Sequence, residues 1–445
     1  MFKPESPQNR SSDLPRELGD GLVLRQATKA HIDEAAGFIE RIHGSPSLGV
    51  SLRDLMSGDH PTTSASDFVL VTDRDANQRI VAMAGLFPQT WAYDGIPFEI
   101  GNPELVSTDP EYRRRGLMRA VMDGLHAVSA AQGQMLQALQ GIRWFYRQFG
   151  YEYALDPGPR RHLALSEIAP LPAGETEPYQ VRRITESEIP LIAPLYQRQC
   201  EGNLITTVID ETIRRGDISG YSPGSDLGDW TFAILDSDKR FVGYYSTWGD
   251  PWGAYIIKEL GVTNSEELRD ILPSILRHVQ SQEAVYAADF GDESPTRIRL
   301  ELGAEHPAYR ILDRKLGRLE SRQDFYIRVP DLPGFLRHIT PVLEGRLAES
   351  AMAKFTGELR ISFYQGGLAL LFDHGKLEIR DWKAADDREV FNITGFPPLV
   401  FLKLLFGYRS LEELCYAYPD CWASEQDTLL LNALFPKRPS WLRQL

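Results

Sequence analysis

Three arginines, Arg113, Arg114 and Arg115, stand directly before Gly116 and a helix-like stretch. The whole phrase, from Glu104 to Ala120, reads ELVSTDPEYRRRGLMRA. An apolar pair, Leu105 and Val106, leads through Asp109-Pro110 into the cations. This order predicts a strand, a turn and a helix N-terminus. The first N–H groups of a helix have no intrahelical acceptor, and the helix dipole adds partial positive charge there. Guanidiniums beside such donors suit a pyrophosphate, and Gly116 places no Cβ between backbone and phosphate oxygens. Leu117, Val121, Leu125 and Val128 recur at helical spacing and give the helix one apolar face. The same residues also fit a solvated basic turn capping an ordinary helix.

The phrase D-P-x-Y-R-R-R-G-L-x-R-A resembles motif A of the GNAT N-acetyltransferases. There R-x-x-G-x-[G/A] wraps the pyrophosphate of acetyl-CoA. Arg113, Gly116 and Met118 take the three marked positions, and Met118 departs from the usual Gly or Ala. The turn is similar to that of the enhanced intracellular survival (Eis)-like acetyltransferases, R-R-R-G followed by bulkier residues. The resemblance implies acetyl-CoA as co-substrate, held by Arg113, Arg114, Arg115, Gly116, Leu117 and Met118. It also implies that the backbone at Val106 and Thr108 pairs with the pantetheine arm like an added strand.

Acetyl transfer from a thioester to an amine needs a held acetyl-CoA, a neutral amine, a stabilised oxyanion and a protonated leaving thiolate. For the last task the resemblance points to Tyr146. It lies in RWFYRQFGYEYAL, similar to the family's F-Y-x-x-F-G-Y segment. A phenol with a pKa of ~10 stays neutral and can protonate a thiolate. Tyr146 also fits a plain core cluster with Trp144, Phe145, Phe149 and Tyr151. For the base, the resemblance implies the C-terminal carboxylate, here that of Leu445, although family tails usually end in an aromatic residue. Glu104 is a rival base, and an exposed strand residue is its plainer reading. The nine histidines show no triad-like or metal-like spacing, so no metal is expected.

Elements that would position these groups follow from the periodicities. After a polar lead-in (1–20), LVLRQAT is a strand and AHIDEAAGFIERIHG an amphipathic helix. DFVLVTD and IVAMAGLFPQTWAY are strands, and IPFEIGNPELVST is a strand pair or a bulged strand splayed at Asn102-Pro103. A helix over 117–131, the strand MLQAL, a helix near Trp144–Phe149 and the strand YEYAL complete a first domain, 21–170. The loop GSPSLGVSLRDLMSGDHP is a candidate mobile lid.

PLPAGETEPY (170–179) reads as a linker. After it a second copy begins, 178–328, with T-E-S-E as a capping box. Where the first copy has arginines, this one has Gly261-Val262-Thr263-Asn264 and an acidic helical turn that would repel pyrophosphate. The remainder, 329–445, mixes alternating strands with helices. With its L-L-F-G-Y-R-S and L-F-P-x-R-P phrases it resembles the sterol-carrier-like tail of the Eis-like proteins. The expected class is therefore α/β (α+β): tandem GNAT-like domains, the second degenerate, then a sterol-carrier-like domain.

Composition sets bounds. The 445 residues are 42% hydrophobic and 25% charged, as in ordinary globular chains. A net charge of −14 argues against a nucleic-acid partner and would suit a cationic substrate. Three scattered cysteines read as free thiols. The absence of a signal-like start or a membrane span suggests a cytoplasmic protein. The expected acceptor is a primary amine, either a polyamine- or aminoglycoside-like small molecule or a lysine side chain. The resemblance further implies a homo-oligomer such as a hexamer. A reading of another class is a module that binds acyl-CoA or a hydrophobic ligand and turns nothing over.

Overall fold

The computed structural model describes residues 14–228, 230–250, 253–282, 295–320, 324–383 and 393–443. They pack as two compact units. The first takes residues up to 89, 99–139 and 221–226, and the second takes 90–98, 140–220 and 227 onward.

The first unit is a sheet covered by helices. Its strands β1 (Arg16–Gly19), β2 (Leu22–Gln26), β3 (Phe68–Asp73), most of β4 (Arg79–Tyr93), most of β5 (Ile96–Thr108) and β6 (Leu136–Leu139) lie side by side in chain order. β1 to β4 pair antiparallel. β6 runs parallel to β5, with Ile100 opposite Leu136 and Gly101 opposite Gln137. Pro103 has no N–H to extend a ladder. Leu105, with φ +54, adds a left-handed kink to this single strand, where a strand pair was the other expectation. A bend of this kind re-aims the side chains around it.

Helix α1 spans Ile32–His43 and α2 spans Pro46–Ser57. α2 replaces the mobile lid expected from Ser/Gly content. Ser45 precedes Pro46 at the first helical turn, Gly58 closes the helix at φ +93, and Leu52, Leu55 and Met56 are buried. The segment 221–226 then pins it. The Ser222 amide and hydroxyl donate to Asp54 at 2.9 and 2.6 Å, and the Asp226 amide donates to the Ser51 hydroxyl at 2.8 Å. Helix α3, Leu117–Ala131, buries Leu117, Val121, Leu125 and Val128 as the spacing predicts. Gly124 lets it approach closely, since a Cβ there would stand 2.9 Å from Val69.

In the second unit, β7 (Glu152–Leu155), β8 (Arg161–Ala164), β9 (Gln180–Arg183) and β10 (Ile205–Thr207) alternate with α4 (Ile189–Cys200) and α5 (Glu211–Ser219). They are followed by β11 (Trp230–Leu235), β12 (Phe241–Asp250), β13 (Ala254–Val262), α6 (Leu268–Gln280), β14 (Arg297–Leu300) and β15 (Phe325–Arg328). One sheet has the order β8-β14-β13-β12-β11-β9. Among the described residues its only parallel pair is β13 with β14, joined through α6, which repeats the β5–α3–β6 arrangement. The Thr185/Glu188 capping box forms as expected. β8 precedes the linker-like 170–179 segment, yet it pairs with β14, Arg297 opposite Ala164. β15 pairs with β7 instead.

Beyond β15, two helices follow, Leu332–His338 and Thr340–Ala348. Pro341 sits in the first turn of the second helix, where its missing N–H costs no ladder bond. Strands β16 (Gly357–Ser362), β17 (Gly367–Asp373) and β18 (Lys376–Trp382) form an antiparallel meander, with left-handed His374 and Gly375 in the last turn. Helices Phe401–Leu405, Leu411–Ala417 and Glu425–Leu434 follow. No helix among the described residues is long and apolar enough to cross a membrane.

Candidate active site

In the first unit the chemistry-bearing turn links β5 to α3. Asp109 begins it. Its carboxylate accepts the Glu111 amide at 3.0 Å and is paired with Arg79. Tyr112 donates to Asp73 at 2.7 Å, and Arg115 lies 5.3 Å over the Tyr112 ring. These contacts fix the near side of the turn. Arg113 and Arg114 are exposed and make no ion pair among the described residues. Arg114 (φ +64) and Gly116 (φ +77) are both left-handed. Gly116 is the N-cap of α3.

A Cβ at Gly116 would meet nothing within 4 Å, so its φ, and not crowding within the chain, calls for glycine. The first intrahelical bond runs from the Ala120 amide to the Gly116 carbonyl, 3.2 Å. The earlier amides of Leu117, Met118 and Arg119 therefore precede the helical ladder. With the left-handed residues before them, these amides are backbone donors of the kind that suit an anion.

β5 leads into this turn and carries unpartnered buried polar atoms. Thr108 Oγ1 and Asn102 Oδ1 are buried without a hydrogen-bond partner. They fit a ligand with amide and hydroxyl groups laid along the strand, as pantetheine would be. Glu104 sits between them, next to the kink at Leu105. Burial pushes its carboxyl up to about 7, against the weaker opposing effect of a hydrogen bond from Asn102. Glu104 keeps part of its surface accessible, so it is desolvated without being sealed. The plainer expectation, an ordinary exposed strand residue, does not hold.

One contact has no sequence signal. His43, at the end of α1, lies 2.8 Å from the hydroxyl of Ser107, which is 3% exposed. Burial lowers the His43 pKa, which favours the neutral ring. Only the fold brings these residues, 64 positions apart, together.

Tyr146 belongs to the second unit. In place of a full helix it sits on a short 3₁₀ helix, Phe145–Phe149, which starts at left-handed Trp144 (φ +71) and ends at Gly150 (φ +86). Its ring is 5% exposed and packs against Phe145 at 5.1 Å, Tyr326 at 5.6 Å and Tyr151 at 6.2 Å. A Cβ at Gly141 would stand 2.6 Å from this ring, so Gly141 makes room for it. Glu152 receives Arg147 at 2.7 Å and the buried Lys403 at 3.0 Å, which braces the same short helix.

Leu445 lies outside the described residues. The tail before it is tightly held. The Trp441 amide donates to the Ile205 carbonyl at 3.0 Å, and the Leu204 amide to the Pro439 carbonyl at 2.7 Å. Arg443 bonds Asp217 and Glu259, each at 2.7 Å, and Arg214 meets Glu259 at 2.8 Å. All four side chains are 6% exposed or less. Burial raises the Glu259 pKa, and the two guanidiniums, with the Tyr244 hydroxyl at 2.7 Å, outweigh it and hold the carboxylate ionised.

Residues 23–154 match the family model described as an acetyltransferase (GNAT) domain. This stretch contains the kinked strand, the arginine turn and Tyr146. The chain thus carries a GNAT-type acetyltransferase domain, and the protein is an enzyme. No curated protein sequence matches it significantly.

Three solved structures share its fold over 95% of the chain. One is a probable N-acyltransferase of unknown function from Enterococcus faecalis V583 (TM-score 0.63, 14% identity, 99% of that chain covered). Another is a GCN5-related N-acetyltransferase from Kribbella flavida (0.62, 16%, 98%). The third is Eis1 from Mycobacterium abscessus (0.57, 13%, 99%). At these identities the likeness concerns the fold alone.

Proposed function

We propose that the protein is an Eis-like N-acetyltransferase that moves an acetyl group from acetyl-CoA to a primary amine by direct attack in a ternary complex. The observation that carries this reading is the left-handed Gly116 N-cap behind three arginines, at the end of a kinked strand with unpartnered polar atoms. In this reading Arg113, Arg114, Arg115 and the amides of Gly116, Leu117 and Met118 hold the pyrophosphate. The backbone at Val106 and Thr108 pairs with the pantetheine arm. Tyr146 protonates the departing thiolate. The acceptor is a polyamine- or aminoglycoside-like molecule or a lysine side chain. The residues from 329 onward form a sterol-carrier-like part of a homo-oligomer such as the hexamer of the Eis-like plan.

The base is Glu104 or the C-terminal carboxylate of Leu445. Glu104 is favoured by its raised pKa, which suits proton uptake near neutral pH. In both cases the base takes a proton from the ammonium, and the neutral nitrogen then attacks the acetyl carbon. As the tetrahedral intermediate collapses, the thiolate leaves with the Tyr146 proton, and the nitrogen gives up its second proton, which restores the phenol.

The test is thiol release from acetyl-CoA over a panel of polyamines, aminoglycosides and lysine peptides, with acetyl-CoA binding measured by calorimetry. Release with at least one amine supports the transferase. Binding without release from any amine would favour the non-catalytic module, and no binding at all would end both readings. Deleting residues 444–445 in parallel with Glu104→Gln separates the two bases, because the variant that removes the true base loses turnover.

A further inference from the structure

Two phrases of the C-terminal part, Leu404–Ser410 (LLFGYRS) and Leu434–Pro439 (LFPKRP), are not used by the proposed acetyl transfer. The fold brings them together. Gly407 is left-handed at φ +64, and a Cβ there would stand 2.9 Å from the Arg438 carbonyl oxygen and 3.0 Å from its amide nitrogen. The two phrases therefore touch backbone to backbone, and only glycine permits it. Beside this contact opens a recess of about 400 Å³, within the range of small-molecule sites.

The charged lining of the recess is Arg409, Lys437 and Arg438, with Asp156 as its single acid. Each cation is held in its own way. Arg409 stacks 4.0 Å over the Tyr408 ring and donates one N–H to the Tyr408 carbonyl at 2.8 Å. No carboxylate pairs with it among the described residues, so most of its five donors stay available in a fixed plane. Lys437 is tied to Glu413 at 2.6 Å. Arg438 meets Asp94 at 2.6 Å, but Arg346 meets the same carboxylate at 2.9 Å, so two guanidiniums share one acid. Asp156 accepts the Gly158 amide at 3.0 Å. The recess is thus cationic on a chain whose net charge is −14. Stacking on Tyr408 pre-orients Arg409 for the bidentate geometry that carboxylates and phosphates accept.

We propose that this recess binds a small organic anion through a carboxylate or phosphate group, with Arg409 as the principal ligand and Lys437 and Arg438 completing the cationic wall. The site is separate in sequence from the arginine turn, and the proposal stands whether or not the transferase reading holds.

The test is calorimetry on the full chain saturated with CoA, so that probes cannot score at the turn. The probes are phenyl phosphate, benzoate and inorganic phosphate. One molecule of phenyl phosphate or benzoate should bind per chain, more weakly as salt rises. Arg409→Gln should weaken it at least tenfold, with CoA binding unchanged. Should that variant fail to fold, Lys437→Gln, at a half-exposed position, should weaken binding several-fold. The stronger of the two organic probes identifies the head group. The proposal is overturned if neither organic probe binds the CoA-saturated chain, if binding is equal in the folded variants, or if only inorganic phosphate binds.

Discussion

The proposed function assigns its acid to Tyr146 and favours Glu104 as its base. Tyr146 is a phenol in an aromatic cage, and the cage leaves its hydroxyl as the main group a substitution can remove. Tyr146→Phe should lower kcat by roughly 10²-fold or more while leaving the KM for acetyl-CoA near wild type. Unchanged turnover would remove it as the acid. Glu104 makes a prediction about pH. Its carboxyl is pushed up to about 7 by burial, and the base must be ionised to work. kcat/KM should therefore fall as pH drops through about 7, and Glu104→Gln should lower the plateau and abolish that limb. The stability sign is opposite. A carboxyl whose folded pKa is raised favours the fold while protonated, and that contribution is lost as pH rises from the unfolded value near 4.5 through about 7. Glu104→Gln should thus be neutral or stabilising at pH 8, measured by thermal unfolding.

At the scale of elements, the turn between β5 and α3 depends on backbone shape as much as on charge. Forcing a Cβ into left-handed backbone costs about 1–2 kcal/mol per residue. Gly116→Val should therefore weaken acetyl-CoA binding by about tenfold, the equivalent of ~1.4 kcal/mol. Binding calorimetry checks this, and unchanged affinity would mean that the turn does not hold the pyrophosphate. The corresponding crossing in the second unit has the opposite electrostatics. Asn264 caps it, accepting the Glu266 amide at 3.1 Å, and Glu266, Glu267 and Asp270 fill the first turns. Those acids already complement the helix dipole, so no anion is needed there. A single acetyl-CoA per chain is the expected stoichiometry.

At the scale of the whole molecule, the tail is fastened by a buried quartet of two arginines and two acids. Breaking one member of such a group leaves an uncompensated charge and costs about 3–5 kcal/mol. Arg443→Ala or Glu259→Ala should lower the melting temperature by several degrees, and proteolysis should reach the tail sooner in both. Wild-type stability in either variant would show the quartet to be open to water. The same fastening places three tail residues, Pro439, Trp441 and Arg443, against β10 and its flank, through sequence separations of more than 230 residues.

By itself the sequence determined what short-range physics controls. The bounds of α3, the Thr185/Glu188 capping box and the alternation of β16–β18 were all legible, because periodicity and cap chemistry act within a few residues. Only the tertiary structure decided the rest. α2 became a helix pinned by residues 222–226, β8 joined β14 across the linker-like segment, and Glu104 acquired a raised pKa. The recess between two distant phrases and the His43–Ser107 contact belong to the same set. Each of these depends on register or desolvation, and both are sums over neighbours far apart in the chain that no local pattern encodes.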